Sequence, residues 1–346
     1  MSGRARRQIA GRTPAKGFTL VELLVSMVLG LVVVGAVVSV VMANKRTFNT
    51  TAAMSQVQES ARTAFELVAR DLRQAGATGC DNSGRVANVL DPGTPPATPL
   101  WWQTWNGLVG FDGTDVDPAV SIGTGPEDRI SGTDSIQIQG IVGNGLSVES
   151  HDVPGAKFTI NATSTDLVTG DVLMVCDFDH ASIFQASSYD ATNVRVTYAT
   201  SSGTPGNCSS GLGYPTDCST ANIYPFAKNS QISHLSVVDW YIGNNNRAAD
   251  GGRSLYRKRL DSGGVIITEE VVAGVSNMEI KYRVDGTDSF VDASSVTAAN
   301  WPKVNAALIK LTIDSADQRV STDASANSGR LQRPFTWMVT MRNRVP

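Results

Sequence analysis

Lys16-Gly17-Phe18-Thr19-Leu20-Val21-Glu22-Leu23-Leu24 opens an apolar run that continues almost unbroken to Met42. The run is long enough to span a bilayer as a helix. Glu22 stands near its start, and a carboxylate at membrane depth costs several kcal/mol, roughly, unless a partner offsets it. The residues before the run are basic and end in Gly17. A secretory signal peptide has its cleavage site after the apolar core. Here the basic leader ends directly before that core, so cleavage between Gly17 and Phe18 would leave the apolar segment on the mature chain. An ordinary signal peptide cut after Ala43, or a plain anchor, gives Glu22 no purpose.

Arg4, Arg6, Arg7, Arg12 and Lys16 supply the leader's charge, with no acid among them. By the positive-inside rule the leader stays cytoplasmic and everything after Met42 is exported. The whole chain carries a formal net charge of −3, and losing five basic residues leaves a mature charge of −8. So acidic a protein is a poor candidate for phosphate-driven nucleic-acid binding. The four cysteines, Cys80, Cys176, Cys208 and Cys218, fall in an oxidising compartment where pairing is expected. Three connectivities are possible. The short Gly/Ser/Pro-rich stretch between Cys208 and Cys218 favours that pair, leaving Cys80–Cys176 as a long-range staple.

The helix starting at Phe18 is expected to outlast the membrane. Met54, Val57, Ala61, Phe65, Val68 and Leu72 recur at steps of three and four. Gln58, Glu59, Arg62, Glu66 and Arg70 occupy the other faces, with Glu66 and Arg70 in the favourable i,i+4 order. Gly76 and Gly79 end the pattern, so the whole would extend about 85 Å. Gly30 and Gly35, inside the apolar half, allow close helix packing or a kink. The expected organisation is a leader over 1–17, a membrane half of the helix over 18–43, an amphipathic half over 44–76, and a β-rich head over 77–346.

The Pro-rich stretch 91–99 reads as a loop, and the Trp101, Trp102 and Trp105 cluster after it as burial beneath that loop, the alternative being an exposed binding patch. Short β-prone runs follow at Ile136–Ile138, Val172–Val175 and Val194–Tyr198. Met278, Ile280, Tyr282 and Val284 alternate with polar residues, as do Ile309, Leu311 and Ile313. Phe335, Trp337, Val339 and Met341 alternate with Thr336, Met338 and Thr340. Strands with one wet face imply an antiparallel sheet packed on something apolar, which the helix supplies. The fold class is therefore α+β. The basic strand around Arg253, Arg257, Lys258 and Arg259 reads as a charge-guarded exposed or edge strand, or as a face for an acidic partner.

Potential ligands gather twice, at Cys176-Asp177-Phe178-Asp179-His180 and at Asp112-Gly113-Thr114-Asp115-Val116-Asp117. The first reads as strand-end turn chemistry. The second lacks the rest of an EF-hand loop. His151, His180 and His234 are far apart, and no phosphate loop, nucleophile elbow or dinucleotide fingerprint is present. No metal, cofactor or enzymatic activity is expected.

The Gly17–Phe18–Glu22 spacing resembles the type IV pilin superfamily. That resemblance implies a prepilin leader cut by a prepilin peptidase after Gly17, N-methylation of Phe18, and pairing of Glu22 with the N-terminal ammonium of a neighbouring subunit. It also implies a type IV pilin-like fold: a long N-terminal helix on an antiparallel sheet, here with large loop insertions. Beyond the N-terminus the chain resembles the PilW family of minor pilins. The residues that carry this are Ala69–Gly76 with Thr78-Gly79-Cys80, Gly170–Asp177 continuing to Ile183-Phe184-Gln185, Trp240–Gly243, Ser254–Lys258, Val272–Met278 and Met341–Arg344. No such similarity covers about 81–130. The family implies a role in priming or supporting pilus assembly near the tip, hence in motility and adhesion. Its implied partners are other minor pilins, the major pilin and a PilY-type tip protein. The implied location is the inner membrane, with the head in the periplasm, and then the pilus at the cell surface. A large minor pseudopilin of a type II secretion system, or an anchored periplasmic binding protein that never polymerises, would share some of these features.

Overall fold

The computed structural model describes residues 17–80, 85–93, 100–200, 203–216, 218–219, 221–321 and 327–344. They fall into two units, 1–52 and 53–346. The helix Leu20–Arg73 contributes residues to both.

In the first unit every side chain from Phe18 to Asn49 is exposed. Valine and leucine dominate from Leu20 to Met42, and this helix is long and apolar enough to cross a membrane. An apolar surface on all sides is what lipid or neighbouring helices would cover.

The second unit has its own core. Ala53, Val57, Ala61, Ala64, Val68 and Leu72 are buried on one face of the helix, at the steps expected of an amphipathic segment. Three of these six are alanines, which let the helix lie close to the sheets. Phe65 is half-buried and stacks on Trp337 at 4.6 Å between ring centroids. Glu66 pairs with Arg62 at 2.7 Å rather than with Arg70, whose guanidinium turns to the neighbouring Asp71. The Arg62–Glu66 pair is exposed and contributes little.

Three C-terminal strands form a meander, Val275–Val284, Val304–Asp314 and Gln332–Thr340, antiparallel throughout. Ile280, Ile309 and Trp337 stand in register across it, so the alternating residues form one apolar face. That face, the helix, and part of the larger sheet enclose a common core containing Trp240, Tyr282 and Ile309.

Among the described residues the larger sheet has eleven strands. Gln231–Asn244 lies at its centre, pairing Ser135–Asp152, Val172–Cys176 and Arg253–Leu260 at different points along its length. The pairings are antiparallel except that of Val86–Asn88 with Ala181–Gln185, which is parallel. A second core, around Phe158, Phe184, Tyr198 and Phe226, lies under the strands that follow Leu146.

Two local devices hold the helix end and the tryptophan loop against the sheet. A Cβ on Gly140 would come within 2.4 Å of the Gln74 carbonyl oxygen, so only glycine permits that approach. The neighbouring Gln139 side chain donates to the carbonyls of Trp102 and Thr104 and accepts from the Asn106 and Gly107 amides. Trp102 is consequently buried, while Trp101 and Trp105 are half-buried.

Candidate functional site

At the N-terminal end, Gly17, Phe18 and Thr19 precede the helix and Phe18 is 82% exposed. The Glu22 amide donates to Thr19 Oγ1 at 3.3 Å. Thr19-Leu20-Val21-Glu22 therefore has the capping-box spacing, a signal readable in the sequence that the motif reading passed over. Glu22 sits in the first helical turn, where unpaired amides favour a negative charge. Its carboxylate thus has a local electrostatic reason to be there, independent of any neighbouring subunit. Phe18 and Glu22 are four positions apart in sequence, Phe18 ahead of the helix and Glu22 within it.

The structure joins Cys80 to Cys176, with Cα atoms 5.9 Å apart, and Cys208 to Cys218 at 5.2 Å. The first bond ties the segment after the helix to the strand Val172–Cys176. The second closes a loop whose Leu212 is buried and accepts, at its carbonyl, a hydrogen bond from Ser182 Oγ.

The basic strand Arg253–Leu260 is flanked on both sides, by Gln231–Asn244 and by Ile266–Ala273, so it is not an edge. Its charges are met at home. Arg257 and Arg259 bind Glu269, Arg259 also reaches Asp261, and Lys258 donates to the Ala119 carbonyl. Hydrogen bonding from Arg257 holds Glu269 below the ordinary carboxylate range. An acidic partner would have to compete with these bonds.

The acid-rich segments have structural roles. Asp177 Oδ1 accepts the amides of Asp179 and His180, and its Oδ2 accepts Tyr224 Oη, which fixes the turn between two strands. Asp112 accepts the amides of Ala293 and Ser294 at 2.9 Å each. Asp117 accepts from the Ala119 amide, Gln137 Nε2 and Ser135 Oγ. Among the described residues no group of three or more His, Cys, Asp or Glu is arranged to hold a metal. The histidines sit in separate networks. His151 contacts Tyr198 Oη and the Phe226 amide, His234 binds Asp171, and His180 stacks on Tyr224. Burial lowers the His151 pKa to about 4, keeping the ring neutral.

Sequence reasoning did not single out Arg129 and Asp239, both fully buried. Arg129 spends its guanidinium on the carbonyls of Thr133, Asp115 and Asp112. Asp239 lies beside Asp117, and burial pushes its pKa far above the carboxylate range. Nothing in the local pattern around Asp239, in a β-prone run, distinguishes it from a residue on a wet face.

No curated protein and no solved structure matches the chain. A family model for the prokaryotic N-terminal methylation motif matches residues 12–38, spanning Gly17, Phe18 and Glu22. A family model for type IV pilus-assembly protein W matches residues 239–343, from the central strand of the larger sheet through the C-terminal meander. With a membrane-length apolar helix ahead of an α+β head, the chain carries the marks of a type IV pilus-associated minor pilin.

Proposed function

We propose that the protein is a minor pilin that primes or supports pilus assembly near the tip, and through the pilus serves motility and adhesion. The carrying observation is the pairing, in one chain, of a methylation motif at 12–38 with a PilW-type region at 239–343. A prepilin peptidase would remove residues 1–17, leaving Phe18 as an N-methylated first residue. The subunit would wait in the inner membrane with its head in the periplasm, then enter the pilus beside other minor pilins, the major pilin and a PilY-type tip protein. Glu22 would pair with the Phe18 ammonium of an adjacent subunit, since two opposite charges leaving water need one another.

Pilus counts in cells carrying only Glu22→Ala or Glu22→Gln, at matched protein level, test this. Both substitutions remove the charge, while glutamine keeps the size and polarity of the side chain. Loss of pili in both variants, with the subunit still cleaved and disulfide-bonded, is expected. Normal piliation in both would reduce Glu22 to a helix-terminus residue and remove the pairing from the proposal.

A further inference from the structure

Arg344 ends the short turn Arg342–Arg344 after the last strand, and its guanidinium lies in a slot made by two glycines. A Cβ at Gly76 would come within 3.2 Å of Arg344 Nε, and one at Gly107 within 3.0 Å of Nη2. Both glycines have positive φ, 72° and 69°, so the slot depends on residues without side chains. Nη2 donates to the Asn106 carbonyl at 3.0 Å. Nη1 is buried with no hydrogen-bond partner among the described residues. Burial lowers the Arg344 pKa to about 10, and no acid among the described residues opposes that shift. Among the described residues this half-buried guanidinium has no counter-charge, and carboxylates match its planar fork.

Arg344 lines a cleft of about 710 Å³, a volume suited to a small ligand. Trp105 and Tyr214 present aromatic surface to it, Tyr214 being 50% exposed. The Asn106 side-chain amide and the Thr104 hydroxyl line it with no hydrogen bond among the described residues, and Asn343 keeps its Oδ1 open while Nδ2 binds the Arg73 carbonyl. The edge strand Val86–Asn88 also borders the cleft, but it is not prepared to receive an extended peptide. Its Asn88 amide is taken by Thr216 Oγ1 at 2.7 Å, and the following Leu90 amide by Asn88 Oδ1 at 3.1 Å. Strand addition needs such donors free. What remains available is a half-buried cation, aromatic surface, carboxamides and a hydroxyl, which together suit a ring bearing hydroxyls and one carboxylate.

We propose that this cleft is a binding site for an acidic sugar, a uronic acid residue of a glycan, with its carboxylate on Arg344 and its ring against Trp105. The full-length protein in detergent, titrated with trigalacturonate, its methyl ester and neutral maltotriose by calorimetry and saturation-transfer NMR, tests this. The free acid should bind saturably and the ester about tenfold or more weakly, because only the acid makes a charge-assisted bond. Arg344→Gln should bring the acid down to the affinity of the ester, and Trp105→Ala should weaken both. The acid–ester comparison is made on the unaltered protein and stands even if either variant fails to fold. Equal binding of acid and ester, no binding of the acid at millimolar concentration, or tighter binding of a tripeptide with a free C-terminus would each overturn the assignment.

Discussion

Replacing Asp71 by alanine removes the acceptor for Trp240 Nε1, a hydrogen bond of 3.1 Å between the helix and the central strand. The partners are 169 residues apart in sequence, and both are buried, Asp71 at 7% exposure and Trp240 at 0%. The indole N–H would be left in the core without an acceptor, a cost of about 1–3 kcal/mol. Removing a negative charge from the last turns of a helix returns about 0.3–1 kcal/mol. A net destabilisation of about 1–2 kcal/mol therefore follows. Asp71→Asn keeps an acceptor and loses the charge, so it should stay within about 0.5 kcal/mol of the parent. Trp240→Phe strands the carboxylate instead and also exchanges the indole beneath Arg257, 5.7 Å away, for a smaller phenyl ring. A double-mutant cycle cancels that second effect and should give a coupling near 1.5 kcal/mol, roughly the value for a hydrogen bond to a charged group. The assay is urea unfolding of the full-length protein in detergent, followed by tryptophan near-UV circular dichroism. A coupling below about 0.5 kcal/mol, the level at which independent sites add, would refute the idea that this bond fastens the helix to the sheet.

Three further outcomes are expected. Mass spectrometry of membrane-derived protein should show a chain beginning at Phe18 with one added methyl, whereas a start at Asn44 would contradict the pilin reading. Removing the Cys80–Cys176 bond, which spans 96 residues, should cost more than removing Cys208–Cys218, which spans 10; loop entropy puts these at about 4–5 and about 2–3 kcal/mol, and a reversed order in urea midpoints would defeat that account. Asp239 has a raised folded-state pKa, so its favourable contribution is complete below the unfolded value near 3.8 and is lost as pH rises toward the folded one. Asp239→Asn should abolish this slope, at most about 1.4 kcal/mol per pH unit, and be no less stable than the parent at pH 7, whereas a variant clearly weaker at pH 7 than at pH 4 relative to the parent would show that an ionised Asp239 is needed.

Much of the architecture is written in local spacing. The apolar run to Met42, the three- and four-residue steps from Val57 to Leu72 and the alternation in 278–284, 309–313 and 335–341 each report which face of an element leaves water. Periodicity carries that information because every turn of helix or pair of strand residues meets the same environment again. The N-terminal motif is legible for the same reason, since its chemistry is confined to a few consecutive residues. The partners chosen across the fold are not legible this way. Arg257 and Arg259 look like an exposed basic face until Ile266–Ala273 brings Glu269 opposite them. Asp71 and Asp239 look like surface acids until Trp240 and Asp117 close over them. Gly140 looks like a tolerated strand glycine until the Gln74 carbonyl arrives, and Arg344 like a terminal charge until Gly76 and Gly107 form its slot. Burial, counter-charge and close approach depend on residues tens to hundreds of positions away, so for these groups only the assembled tertiary structure decides.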